Sequence, residues 1–192
     1  MRAGINIEYL SSAWMTIEAV GSIGFGLMAG SLALLAFGGD SIVELISGFV
    51  TLNRLRNDSN APQPHRGKSE LATSLLLFAL IPVIGVGAAF SYVTGMRPEG
   101  TPLGIAVAVG SVIIMPYLWL QKKGIGHQTR SLVLSTDAIE SITCFLMSVT
   151  LLGGLLAEYF LGLWWVDYLA TGVILAFVLK EATESYREMK AE

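Results

Sequence analysis

Phe37-Gly38-Gly39-Asp40-Ser41-Ile42-Val43-Glu44 sets two carboxylates, four residues apart, into an otherwise apolar run from Ser31 to Leu52. On a helix that spacing places both side chains on one face, one turn apart, where they can close on one cation together. The run is long enough to cross a bilayer, which takes about 20 apolar residues. An ionised carboxylate at bilayer depth is costly unless it is paired, hydrated or metal-bound, so an acidic pair in lipid marks a functional site by default.

Composition agrees with a membrane setting for the whole chain. Of 192 residues, 53% are hydrophobic and only 14% charged, with a mean hydropathy of +0.63, which is far from the balance of a soluble domain. The net charge of -3 and the lack of a basic stripe interleaved with aromatics argue against nucleic acid as a partner. The lone Cys144 cannot form an internal disulfide. Met1 to Glu8 lacks a basic region followed by a short apolar core and a cleavage site, so no removable signal peptide is expected. The chain shows no Ser-His-Asp set, nucleotide loop or intramembrane histidine, and an enzyme or a bound cofactor is not expected.

Six apolar segments, over 13–28, 31–52, 71–93, 103–120, 132–156 and 161–179, predict an all-α polytopic membrane protein with six transmembrane helices. They form a single transmembrane domain over 1–192, with no cytoplasmic domain expected after the amphipathic tail that carries Glu181, Glu184 and Arg187. Arg54 to Lys68, rich in turn formers and including His65, reads as a loop. Lys122, Lys123 and the Gly124 to Gly126 break read as another, leading through His127 and Arg130 into the fifth helix. Both histidines read as solvated. Pro82 and Pro116 are expected to kink the third and fourth helices. Arg2, the basic residues of both loops, and Lys180, Arg187 and Lys190 all fall on one side, with only Arg97 opposite. The positive-inside rule therefore predicts cytoplasmic N- and C-termini. Tyr159, Phe160, Trp164 and Trp165 suit an aromatic belt at the outer interface, and Asp167 suits an N-terminal cap of the sixth helix.

The fifth segment mirrors the second. Asp137, Glu140 and Cys144 stand at i, i+3 and i+7 on one face, and Glu140 and Cys144 repeat the spacing of Asp40 and Glu44. Two helices, each offering two ligands, could complete a four-coordinate shell of Asp40, Glu44, Glu140 and Cys144. Carboxylates suit hard and borderline divalent ions, while a thiolate draws the preference toward zinc. Three acids and a thiol carry more negative charge than a divalent ion cancels, so metal release is linked to proton uptake. Other readings stay open: the acids as hydrogen-bonded glue between helices, Cys144 as a small packing residue, Asp137 as an access-path or ligand-orienting acid, and Glu18 as a proton-relay acid or a partner of the second helix.

These residues resemble a family. Ala29-Gly30-Ser31-Leu32-Ala33-Leu34-Leu35 followed by Asp40 and Glu44 is similar to the second helix of the cation diffusion facilitator transporters, and Glu140 and Cys144 fall on that family's second ligand pair. Gly67-Lys68-x-Glu70 and Trp165-x-Asp167 are similar as well, so the likeness covers nearly the whole chain. Typical members carry His-Asp or Asp-Asp where this chain has Glu140 and Cys144. The likeness is to the short branch, similar to transmembrane protein 163, that lacks the cytoplasmic domain. It implies a homodimer in a lipid bilayer, expected to be the plasma or inner membrane of a prokaryotic cell. Such a dimer would export a divalent metal by exchange for protons, with zinc the expected cargo and iron, manganese, cobalt and cadmium possible ones. The competing expectation is a non-transporting membrane protein, a metal-binding or assembly partner whose intramembrane acids are structural.

Overall fold

Each apolar segment of the chain becomes a helix, and most helices run well past the apolar part. A computed structural model describes residues 2–57, 66–129 and 131–190; the turn-rich stretch with His65 lies outside the described residues. The helices are α1 (Arg2–Ala29), α2 (Leu32–Asn57), α3 (Arg66–Thr94), α4 (Pro102–Thr129), α5 (Leu132–Leu161) and α6 (Val166–Lys190), with no strand among the described residues. The all-α expectation holds. Four helices contain stretches long and apolar enough to cross a membrane: Leu32–Asn53, Thr73–Thr94, Pro102–Thr129 and Asp137–Leu161. The other two, α1 and α6, are of similar length but more polar. Their polar groups turn inward, with Glu8, Ser11, Glu18 and Ser22 buried on α1 and Asp167 and Thr171 buried on α6.

The loop expected at Lys122 to Gly126 is helical, and α4 continues to Thr129. One of the two glycines there serves packing: a Cβ on Gly126 would meet Ser135 Oγ at 2.8 Å and the Ser135 backbone nitrogen at 3.2 Å, so Gly126 lets α4 and α5 touch at their junction, whereas Gly124 has open space around it. His127 sits in the last turn of α4 rather than in a loop. Ser131 caps α5 at its start, accepting from the Leu134 N–H at 3.4 Å. Gly162, with φ 67°, closes α5 by donating to the Glu158 carbonyl at 2.9 Å.

Three helix pairs pack most extensively, α1 with α2, α4 with α5, and α3 with α6. Because α1 also packs on α4, and α2 on α5, the helices α1, α2, α4 and α5 form one bundle, and the α3–α6 pair leans on it through α2 and α5. Leu34, Phe37, Met115, Leu118, Met147 and Leu151 are fully buried at its centre. Val83, Val86, Phe90 and Val93 on α3 stay exposed, as suits a lipid-facing surface. The three short connections meet at one end, where the Glu99 N–H donates to the Ala29 carbonyl at 3.0 Å and the Tyr168 hydroxyl donates to the Met96 carbonyl at 3.0 Å. The other helix ends, at Arg2, Asn57, Arg66, Thr129, Leu132 and Lys190, lie at the opposite end, which carries most of the basic residues and is called the basic end below.

The helix at the centre of these contacts, α2, sits close to its neighbours because of the glycine pair ahead of Asp40. A Cβ on Gly38 would lie 2.8 Å from Ile23 Cγ1 and 3.0 Å from its backbone nitrogen, and one on Gly39 would lie 2.6 Å from Leu80 Cδ1. Gly38→Val therefore pushes α2 off α1 and is expected to cost about 1–3 kcal/mol by overpacking, seen as a lower Tm in detergent. Gly24→Ala, at a position with open space around the new Cβ, is expected to leave Tm unchanged or raise it.

Candidate metal centre

The close approach of α2 to its neighbours carries Asp40 and Glu44 into the interior, where both side chains are essentially inaccessible. A third acid joins them from α6. One carboxylate oxygen each from Asp40, Glu44 and Glu181 lies within 4.8 Å of the others. Both oxygens of Asp40, both of Glu44 and Oε2 of Glu181 are buried with no hydrogen-bond partner in the protein. Buried acceptors are ordinarily satisfied, because leaving one bare costs a large part of its hydration. Three acids converging bare on one point are an acceptor set that a cation can fill, and metal–oxygen bonds of about 2.0–2.4 Å span such a separation with small side-chain adjustments.

Of the other residues expected at the centre, Glu140 borders it and Cys144 turns elsewhere. Glu140 Oε1 accepts from Ser47 Oγ at 3.4 Å, and its Oε2 is unpartnered. Ser47 follows Glu44 by three residues on α2, so Glu140 lies about one turn nearer the basic end. The Cys144 thiol donates to Glu18 Oε1 at 3.4 Å. Glu18 also accepts from Ser41 Oγ at 2.7 Å, from Trp14 Nε1 at 2.9 Å and from Ser111 Oγ. One carboxylate thus ties together α1, α2, α4 and α5, and Ser41 brings that knot to the residue beside Asp40. Among the described acids deep in the bundle, Glu18 is the one that the protein itself satisfies.

Toward the basic end a second polar group joins α1, α4 and α5. Lys122 is fully buried; its ammonium lies 2.6 Å from Asp137 Oδ2 and 3.6 Å from Glu8 Oε2, and it donates to Ser11 Oγ at 2.8 Å. Burial, and then the neighbouring Asp137, push the Glu8 carboxyl up to about 9, with Lys122 pulling the other way. Asp137 therefore stands against an ammonium rather than in the acid trio. At the opposite end Asp167 does cap a helix, but it is α2 rather than its own: Oδ2 accepts from the Leu32 and Ala33 N–H groups at 3.0 and 3.4 Å, and Oδ1 accepts from Ser31 Oγ at 2.6 Å. The helix dipole rewards an anion there whichever chain segment supplies it. Glu158, also near that end, has both oxygens buried and unpartnered.

Sequence reasoning missed Glu181, Lys122 and Glu8. The available signal was the periodicity of α6, where Glu181 follows the buried Ile174 and Val178 at i+7 and i+3 and so lies on the inward face.

A sequence model described as the cation efflux transmembrane domain matches residues 9–190 of the chain, which takes in all six helices. No curated protein matches the chain.

Glu18→Leu leaves the hydroxyls of Ser41 and Ser111 and the Trp14 N–H without their acceptor. It is expected to cost about 3 kcal/mol or more, read as a fall in Tm in detergent. Glu18→Gln, which keeps one acceptor oxygen, is expected to lose less.

Proposed function

We propose that this chain, which belongs to the cation efflux family, carries a divalent transition-metal cation across a membrane in exchange for protons, with Asp40, Glu44 and Glu181 holding the ion at the centre of the bundle. The observation that supports this reading is the convergence, from two helices, of both oxygens of Asp40, both of Glu44 and one of the half-buried Glu181, all buried without a hydrogen-bond partner in the protein. Binding requires the acids to be deprotonated, so an ion arriving releases protons and an ion leaving takes them back. Asp40 and Glu44 belong to the four-helix bundle, whereas Glu181 belongs to the α3–α6 pair. A cation held between them couples the two groups, and rocking of one against the other is the motion that alternating access needs. Export from the cytoplasm follows if the basic end faces inward. The homodimer rests on the family likeness alone.

Zinc heads the candidate cargoes, because it accepts carboxylate oxygens and because Cys144 lies one turn of α5 from Glu140, where a rotation of the side chain away from Glu18 would offer it as a softer ligand. The second reading follows from where that thiol now points. With Cys144 donating to Glu18, the donor set is all oxygen, and manganese or iron(II) suits it at least as well. Cys144→Ser separates the two: a zinc site completed by sulfur loses zinc flux while keeping manganese flux, and an oxygen-only site keeps both.

The principal test is metal-dependent proton flux in proteoliposomes. Wild-type protein is expected to show it. Asp40→Asn and Glu181→Gln are expected to lose about tenfold or more, while Glu184→Gln, on an exposed side chain, is expected to match wild type. Equal flux from wild type and Asp40→Asn would overturn the transport reading in favour of structural acids.

A further inference from the structure

A buried lysine facing two acids, on the basic-end side of a bare site for a cation, has a use beyond holding helices together. Lys122 lies on α4, its partners Glu8 and Ser11 on α1, and Asp137 on α5. None of the four is exposed by more than 3%. Two carboxylates face one ammonium, and the oxygens Glu8 Oε1 and Asp137 Oδ1 are buried with no hydrogen-bond partner. Glu8 fits there because α2 presents Gly48: a Cβ at that position would come within 2.9 Å of Glu8 Oε1. Fully occupied ion pairs inside proteins leave few bare oxygens, and an excess of acceptors over donors is how a cation site is built. Asp137 precedes Glu140 by three residues on α5, so the two carboxylates share a face, and Glu140 in turn borders the Asp40–Glu44–Glu181 centre through Ser47. The acids therefore form a ladder from the basic end to the centre, with one rung already taken by an amine.

We propose that Glu8, Asp137 and Ser11 form a second site for a divalent cation, a way-station between the basic end and the central acids, and that Lys122 is the tethered cation that fills it until a metal ion displaces its ammonium. Two carboxylates and a hydroxyl are oxygen ligands that suit manganese, iron(II) or zinc. Lysine suits the part. Its charge is a compact point on a flexible stem, so the ammonium can leave the acids and swing toward the basic end while the stem stays packed. An arginine would grip both carboxylates with a planar fork and leave reluctantly. Displacement keeps the charge moderate throughout, because the acids exchange one cation for another and never stand bare. This inference rests on the central acids being the transported ion's site, and the experiment separates the two claims.

The measurement is equilibrium binding of manganese(II) and zinc(II) to detergent-solubilised full-length protein, by calorimetry. Wild type is expected to bind one ion per chain and Lys122→Met two. In the Asp40→Asn, Glu44→Gln background the count is expected to fall to none with Lys122 and to one with Lys122→Met. No increment on removing Lys122 in either background overturns the way-station. Absence of binding in wild type together with one ion in Lys122→Met keeps the way-station and overturns the central site instead. Should Lys122→Met fail to fold, Lys122→Arg decides. A merely structural ion pair is satisfied by arginine and leaves flux at the wild-type rate, which overturns the proposal. A displaceable one is expected to lose about tenfold in maximal flux, with binding at the central site unchanged.

Discussion

A carboxylate taken out of water must be met by something, and the arrangement of this bundle is the set of ways in which its acids are met. Glu18 is met by four donors from four helices, Asp167 by the N-terminus of α2, and Asp137 by a buried ammonium. Each solution also fastens one helix to another, because a buried hydrogen bond to a charged group is stronger than a neutral one and breaking it leaves a charge bare. Both oxygens of Asp40 and of Glu44, and Oε2 of Glu181, are met by nothing in the protein. In a bundle that satisfies its other deep acid, Glu18, so fully, that omission is what gives the three acids their chemical meaning.

The fasteners divide the molecule. The Glu18 knot holds α1, α2, α4 and α5 as one body, and the close approaches to a neighbouring helix's backbone at Gly38 and Gly126 fall within that body. The α3–α6 pair is attached through α2 and α5, with Asp167 fixing the start of α6 to the start of α2 at the end opposite the basic residues. A pair pinned firmly at one end and bearing Glu181 toward the other has a natural pivot. Asp167 restrains the start of α6, and Glu181 lies in the half of the helix away from that pin.

Much of this is legible in the chain. Two acids at i and i+4 in a spanning run can point only to one face, and lipid makes that face matter, so Asp40 and Glu44 stand out from the sequence alone. The remainder is hidden for identifiable reasons. Glu181 follows the apolar segment that ends at Leu179 and sits among Lys180, Glu184 and Tyr186, a composition that reads as a solvated tail; only the packing of α3 and α6 against α2 turns one face of that tail inward. Lys122 stands beside Lys123, Gly124 and Gly126, which reads as a basic loop, whereas Gly126 gives contact with α5 and the helix carries Lys122 into the interior. Cys144 shares the face of Glu140 by spacing, but α5 has donors and acceptors on both flanks of that face, and Glu18 from α1 offers the thiol an acceptor that local sequence could not reveal.

The two unsatisfied groups, the central trio and the lysine-filled pair, differ in a way that bears on how an ion would move. The Glu18 knot gathers four donors from four helices on one carboxylate, so opening it leaves a buried charge bare and it is suited to remain shut. Lys122 is different. Its ammonium lies 2.6 Å from one acid and 3.6 Å from another, an uneven grip in which the second acid keeps a free oxygen, and the side chain that supplies it is the most mobile type of cation a protein has. A bundle that must admit an ion from the basic end without admitting water has to place its weakest polar contact on that path and its strongest beyond it. With the lysine pair toward the basic end, Glu140 one turn deeper and the knot of Glu18 behind Asp40, the most mobile cation stands first on that path and the four-donor knot last.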